Sequence, residues 1–315
     1  MGKGKLCGLF GKGRSAIYDY EKRLQSEHFT EEIVVQYVEA LRQKMPRLGT
    51  RKLHYLLQPQ LQEHTIRIGR DQLFALLQKH RLLIRQRRRK VITTNSRHWM
   101  HKYANQVKEL QVCRPEQLWV SDITYIRLTN QWAYLSLITD AYSRRIMGHS
   151  LRMDMSVKGC MEALQMALSA RQYPGLSLIH HSDRGSQYCC GEYVNLLQQN
   201  HVVISMTDNG DPYENALAER MNGIIKSEFN LFESRVNYEQ TKQLVDGHIT
   251  VYNNLRPHSS CDMLTPMQAH QQNGFLKKRW KKYPRYKTSK PLFLDQQTCT
   301  AIPGLLNNPV QLSPD

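Results

Sequence analysis

From residue 118 to about 229 the chain presents three strand-like segments in a row, then alternates helix, strand, helix, strand, helix. Segments 118–126, 132–139 and 145–151 are rich in β-branched and aromatic residues, which suit a pleated, half-buried surface. Residues 156–170 carry Val157, Met161, Leu164, Ala167 and Leu168 at helical spacing. A strand at 177–181, a helix at 188–200 and a strand at 202–206 follow, and a polar loop at 207–212 leads into a last helix ending near Phe229. Few topologies accommodate that order. It predicts an α/β unit with a mixed five-stranded sheet covered by helices.

Charge divides the chain differently. Residues 1–112 carry a net +14, residues 113–272 a net −3 and residues 273–315 a net +6, for +17 in all. Basic ends around a slightly acidic middle suit a protein whose ends neutralise a polyanion. Nucleic acid leads, and the plainer reading is a solvated basic surface. No run of about 18 apolar residues is present, which argues against a membrane span. The basic start has no apolar stretch of the kind that a secretory signal needs. The seven cysteines are scattered and form no C-x-x-C, which points to free thiols in a reducing, cytoplasmic setting.

The basic head reads as three short helices. Ile33, Val34, Tyr37, Val38 and Leu41 form one apolar stripe over residues 31–44, with Thr30 as the expected N-cap and Pro46 as the stop. Residues 49–57 form a second segment stopped by Pro59, and residues 69–80 a third, flanked by Arg67 and Arg70. The pattern suits a helix-turn-helix whose last helix enters a DNA groove, or an ordinary three-helix bundle. The run Arg85–Lys90, with Arg87, Arg88 and Arg89, then precedes a polar stretch and suits phosphate tracking. The expected organisation is a leader at 1–30, a DNA-binding unit at 31–90, a linker at 91–115, the α/β core at 116–272 and a basic tail at 273–315.

The acids of the core carry the chemistry. Asp122 lies in a strand otherwise apolar or hydroxylated, where a carboxylate is costly unless paired or bound to metal. Asp183 lies just past the fourth strand, and Glu219 lies in the last helix. Asn215, Glu219, Asn222 and Lys226 share one helical face by their spacing. Two strands and a helix could thus gather three hard-oxygen ligands for divalent ions such as Mg²⁺. Among 27 acids many triples could be drawn, so composition and spacing alone select this one weakly.

Ordered motifs sharpen the choice. The stretches Trp119-Val120-Ser121-Asp122-Ile123-Thr124-Tyr125, His181-Ser182-Asp183-Arg184-Gly185-Ser186-Gln187-Tyr188 and Glu214-Asn215-Ala216-Leu217-Ala218-Glu219 occur in sequence, followed by Lys226, Tyr252-Asn253-Asn254-Leu255-Arg256-Pro257-His258 and Thr265-Pro266. Asp183 and Glu219 are separated by 35 residues. In these respects the chain resembles the DDE transposases and retroviral-type integrases, and more narrowly the second-frame (OrfB) product of the IS3-family insertion sequences. The resemblance runs from about residue 5 to about residue 272.

The resemblance implies an RNase H-like core preceded by an all-α helix-turn-helix region. It implies Asp122, Asp183 and Glu219 as catalytic and metal-binding residues for two Mg²⁺ ions, replaceable by Mn²⁺. The implied reaction is cleavage of DNA at element ends followed by strand transfer from the freed 3′-hydroxyl. Lys226, Asn215, Asn222, Arg67, Arg70, Arg87, Arg88 and Arg89 are the expected DNA contacts. Thr124, Ser182 and His181 are expected to orient the carboxylates. Double-stranded DNA (terminal inverted repeats and target) is the implied partner, with a homo-oligomer on DNA and an upstream-frame OrfA partner or frameshift fusion. The expected location is the bacterial cytoplasm, at the nucleoid. The competing reading is a DNA-binding regulator of the same descent without chemistry, and a third is a nuclease that cleaves without joining.

Overall fold

The computed structural model describes residues 7, 9, 11, 13–84, 99–208, 215–231 and 236–279. The chain divides into two compact units, residues 1–87 and 88–315.

The first unit is helical: α1 (Arg14–Lys44), α2 (Thr50–Glu63) and α3 (Arg70–Lys79). Val34 and Val38 of α1 are buried with Leu53, Leu57 and Leu61 of α2 and Leu73 and Leu77 of α3, so the apolar stripes face inward as their spacing demands. Two expected boundaries are corrected. The first helix does not start at Thr30, because the Thr30 hydroxyl bonds back to the carbonyl of Ser26 at 2.8 Å within a continuous 31-residue helix. Residues 14–30 therefore belong to α1 and not to a separate leader. Pro59 does not stop α2 but lies inside it; a proline removes one helical hydrogen bond, and buried Leu57 and Leu61 hold the helix on either side.

The second unit holds a five-stranded sheet in the order β3-β2-β1-β4-β5. Its strands are β1 (Leu118–Arg127), β2 (Trp132–Asp140), β3 (Ile146–Arg152), β4 (Leu178–Ser182) and β5 (Val202–Met206). β1 pairs antiparallel with β2, and β2 with β3, whereas β4 runs parallel to β1 and β5 to β4. The mixed sheet agrees with the sequence pattern, and its five strands with the RNase H-like core that the resemblance implies. Helices α4 (Val157–Ser169), α5 (Ser186–Cys189), α6 (Gly191–Gln199), α7 (Ala216–Glu228), α8 (Tyr238–Leu255) and α9 (Pro266–Ala269) complete it. The segment expected as one helix over 188–200 is two, broken at Cys190, whose backbone is extended.

Each sheet face has its own core. Trp119, Ile138, Met147 and Leu178 pack with Cys160, Ala163 and Leu164 of α4 and Tyr193 and Leu197 of α6. Leu118 and Val120 pack with Ala218 of α7, with Val107, Leu110 and Val112 against them. The stretch expected as a linker is thus, from residue 99, packed onto the sheet; the Gln106 amide also bonds the Ser205 hydroxyl at 2.9 Å. Gly148 lets β3 meet α4 closely, since a Cβ there would lie 2.0 Å from the Ala163 carbonyl oxygen.

Neither α8 nor α9 was read from the sequence. The first residues of the basic tail are tied down, with the Gly274 amide on the Cys113 carbonyl and the Arg279 amide on that of Ser259. Among the described residues no helix is long and apolar enough to cross a membrane.

Candidate active site

Strand register brings the two aspartates together. β1 and β4 pair Leu118 with Ile179 and Val120 with His181. Two residues further along the chain from those partners are Asp122, still within β1, and Asp183, just past the end of β4. In a parallel pair, residues at matching register point to the same face, on strands about 4.8 Å apart. That face is the one covered by α7. His180 and His181 point to opposite faces, as alternation requires: His180 bonds Tyr193 of α6, and His181 lies on the aspartate side with its Nδ1 2.8 Å from the Ser205 hydroxyl.

Helix α7 meets β1 through polar side chains. The Asn215 amide donates to the Ser121 carbonyl at 3.2 Å, that of Asn222 to Asp122 Oδ2 at 2.8 Å, and Lys226 Nζ to the Thr124 hydroxyl at 2.7 Å. The helical spacing seven and four places all three on one face, and Glu219 shares it. Asn215 and Asn222 are buried, so the structure gives their amides to β1 where the sequence suggested DNA. Glu219 is exposed in the first turn of α7, the helix end that favours an anion.

The electrostatics mark Asp122. Burial, then the nearby Asp183 charge and more weakly that of Glu219, push its carboxyl up to about 7, against the Asn222 amide and the Ile123 N–H that favour the ionised form. Asp183 is braced by the Gly185 amide, 3.0 Å from its Oδ1. Three carboxylates therefore share one field. Their hard oxygen donors and shared negative field fit a divalent cation. Among the described residues no three His, Cys, Asp or Glu side chains stand close enough together to ligate one ion.

Neighbouring groups fix the rims. Lys108 and Arg184 both pair with Asp208, the latter at 3.4 Å, and so link the chain before β1 to the loops after β4 and β5. Thr124 and Ser182 are buried. On the other face, His180 Nε2 lies 2.6 Å from the Ser121 hydroxyl and 2.9 Å from that of Tyr193. Burial, and then neighbouring His181, push His180 down to about 3, so the ring is neutral.

Several expected site residues lie elsewhere. Arg67 and Arg70 are exposed on the helical unit, and Arg70 Nε bonds Asp71 at 2.8 Å. Arg87, Arg88 and Arg89 lie outside the described residues. Arg256 and His258 are packed inside: the guanidinium grips both oxygens of Glu228 at 2.7 Å and lies 2.6 Å from His258 Nε2. That cluster fastens the end of α7 to the end of α8. Sequence reasoning left both residues without an assigned chemistry, because Glu228, the partner of Arg256, is 28 positions away.

Comparison with known proteins agrees with this architecture. Two integrase core domain models match residues 113–212 and 200–266. The chain is 32% identical over 269 residues to the insertion element IS600 uncharacterized 31 kDa protein of Shigella sonnei, covering 83% of this chain and 96% of that one. It is 37% identical over 160 residues to the transposase InsF for insertion sequence IS3fB of Escherichia coli, covering 50% of this chain and 55% of that protein. The match thus spans about half of InsF. Among solved structures, the HTLV-2 integrase catalytic core domain in complex with magnesium is similar at 21% identity and a TM-score of 0.41, covering 50% of this chain and 97% of that one. With a relative matched over nearly its whole length and integrase core models covering the sheet and its helices, the chain belongs to the IS3-family insertion-sequence transposases, polynucleotidyl transferases with an integrase-type core.

Proposed function

We propose that the protein cleaves DNA at the ends of an insertion element and joins the freed 3′-hydroxyl to target DNA, with Asp122, Asp183 and Glu219 as the catalytic carboxylates. The observation that carries this reading is the proximity of the three acids: the charges of Asp183 and, more weakly, Glu219 both act on the Asp122 carboxyl, which lies two residues beyond the β1–β4 ladder. These three residues would hold two Mg²⁺ ions, or Mn²⁺ in their place. Bound there, the ions supply charge neutralisation at the attacking and leaving oxygens of an in-line displacement.

The chain's own groups do the positioning. Asn222 orients Asp122 through Oδ2. Thr124 holds the Lys226 ammonium beside the strand, where it meets a phosphate of the element's end. His181 is fixed by Ser205 below Asp183. In the first step water attacks a phosphodiester phosphorus, and the P–O3′ bond breaks to leave a 3′-hydroxyl. In the second that hydroxyl attacks another phosphodiester, forming a new P–O3′ bond while the target's own P–O3′ bond breaks. The helical unit, in the expected helix-turn-helix role, binds duplex DNA through Arg67 and Arg70, and Arg87, Arg88 and Arg89 add phosphate contacts. A homo-oligomer on DNA, with an upstream-frame partner or as a fusion, and a nucleoid location complete the proposal.

One observation favours a second reading, a DNA-binding regulator without chemistry: exposed Glu219 does not close a three-ligand set with the aspartates. A labelled duplex carrying the element's end, incubated with protein and Mg²⁺ or Mn²⁺, decides between them. Joined product that vanishes in Asp183→Asn supports the transposase. DNA binding without cleaved or joined strands, with the upstream-frame protein added, refutes it, and cleavage without joining indicates a nuclease.

A further inference from the structure

We infer that the helical unit contains a built seat for a backbone phosphate of duplex DNA, formed by Arg42, Arg47 and Arg81. The inference rests on the reading of this unit as DNA-binding. The three arginines line a groove of about 440 Å³ whose walls include Pro46 and Leu82. Arg42 lies in the last turn of α1, Arg47 follows that helix, and Arg81 follows α3. None of the described lining residues is acidic.

Arg42 is the informative group. Its Nε and Nη2 are shut from solvent and make no hydrogen bond. Burial alone accounts for the direction in which its guanidinium is pushed, below its ordinary range. Buried donors in native proteins are nearly always satisfied, and an unpaired buried charge is costly. Nε and Nη2 form the side edge of the guanidinium, which takes two oxygens of one phosphate at once. An anion in the groove is drawn by the charge of three arginines, and a turn of the Arg42 guanidinium toward the groove gives it the two donors that have no partner inside. The C-terminal end of the α1 dipole opposes an anion there, and three full positive charges outweigh it.

Duplex DNA is the favoured source of that phosphate. The groove is lined as far as Ile84, the residue immediately before the run that contains Arg85, Arg87, Arg88, Arg89 and Lys90. A phosphate seated in this groove thus lies beside the residue at which the basic run of the sequence begins. The seat carries no base-edge reading, so its contribution is equal for every sequence.

The test measures binding of the full chain to an element-end duplex and to an unrelated duplex across a salt titration. Arg42→Gln is expected to weaken binding to both about tenfold and to lower the slope of log K against log salt by about 1. Arg42→Lys, which keeps the charge and loses the fork, is expected to restore the slope and only part of the affinity. Arg81→Gln, at an exposed position, gives the same slope test if Arg42→Gln fails to fold by circular dichroism. Unchanged affinity and slope in the folded variants, with the wild type binding DNA, overturn the seat. If the wild type binds neither duplex, the DNA-binding reading of this unit fails, and the seat with it. In a parallel arm, inorganic phosphate is compared with chloride at matched ionic strength for thermal protection. Protection lost in Arg42→Gln with an unchanged DNA salt slope assigns the groove to a small anion and also overturns the proposal.

Discussion

Replacing Asp122 with asparagine should stabilise the metal-free protein at neutral pH. The Asp122 carboxyl rises from 3.8 to about 7 through burial and the charges of Asp183 and Glu219. The difference of about 3 units corresponds to about 4 kcal/mol against the ionised folded state. The sign follows from proton uptake. Between pH 3.8 and 7 the folded protein binds more protons at this site than the unfolded chain, so stability falls as pH rises, and the penalty is complete above 7. The neutral amide of the variant would escape it but has one acceptor oxygen for two donors, the Asn222 amide and the Ile123 N–H. Losing one of those bonds costs about 1 kcal/mol. Asp122→Asn should therefore be more stable than wild type by about 3 kcal/mol at pH 8, narrowing to about 1 kcal/mol or less by pH 5. Urea unfolding in a chelator, at several pH values, reads this difference. A variant no more stable at pH 8, or one whose advantage does not shrink toward pH 5, would refute the account of crowded carboxylates.

Three further outcomes are expected. Arg256→Met should cost about 3 kcal/mol in urea unfolding, because it takes both guanidinium bonds from the largely buried Glu228 carboxylate, while His258 keeps the Tyr252 hydroxyl. Gly148→Ala should cost about 3 kcal/mol by thermal or urea unfolding, since its Cβ meets backbone of α4 and not a movable side chain. His270 is held up despite burial by Asp140 and Glu116, so its contribution is full below pH 6.5 and is lost as pH rises through its elevated folded value. His270→Gln should remove that alkaline-side loss from a pH–stability profile. Both acids, lowered against burial chiefly by His270, contribute above their ordinary values and lose the contribution as pH falls through the depressed ones.

The sheet was legible because its strands are short, patterned and in sequence order. The β5 strand at Val202–Met206 was read to the residue, and the alternation that separates His180 from His181 follows from the pleat alone. The carboxylates were legible as a set only through ordered motifs; nothing in a single acid distinguishes Asp122 from the others. What remained hidden depends on distance along the chain. Asn222 was assigned to DNA because helical spacing shows a face and not what covers it; the face lies on β1, 100 residues earlier. Glu116, Asp140 and His270 form a buried cluster whose members come from before β1, the end of β2 and the end of α9, and no local pattern announces it. In the helical unit, local signals misled: Thr30 suits a cap, yet its hydroxyl bonds back into the helix at Ser26, and Pro59 suits a stop, yet packing of Leu57 and Leu61 carries α2 through.

The parallel ladder between β1 and β4 ends at Val120 and His181, two residues short of the aspartates. Beyond that point no ladder pairing between β1 and β4 spans the gap among the described residues, and the Ser121 carbonyl is held by the Asn215 amide from α7 instead. The two strands thus behave like the jaws of a clip fastened at the base. Each acid is instead carried by its own outer pairing, Asp122 through β2 and the end of β4 through β5. Asn222 of α7 grips Asp122 and the Gly185 amide grips Asp183, so the two halves of the site are tensioned from separate anchors.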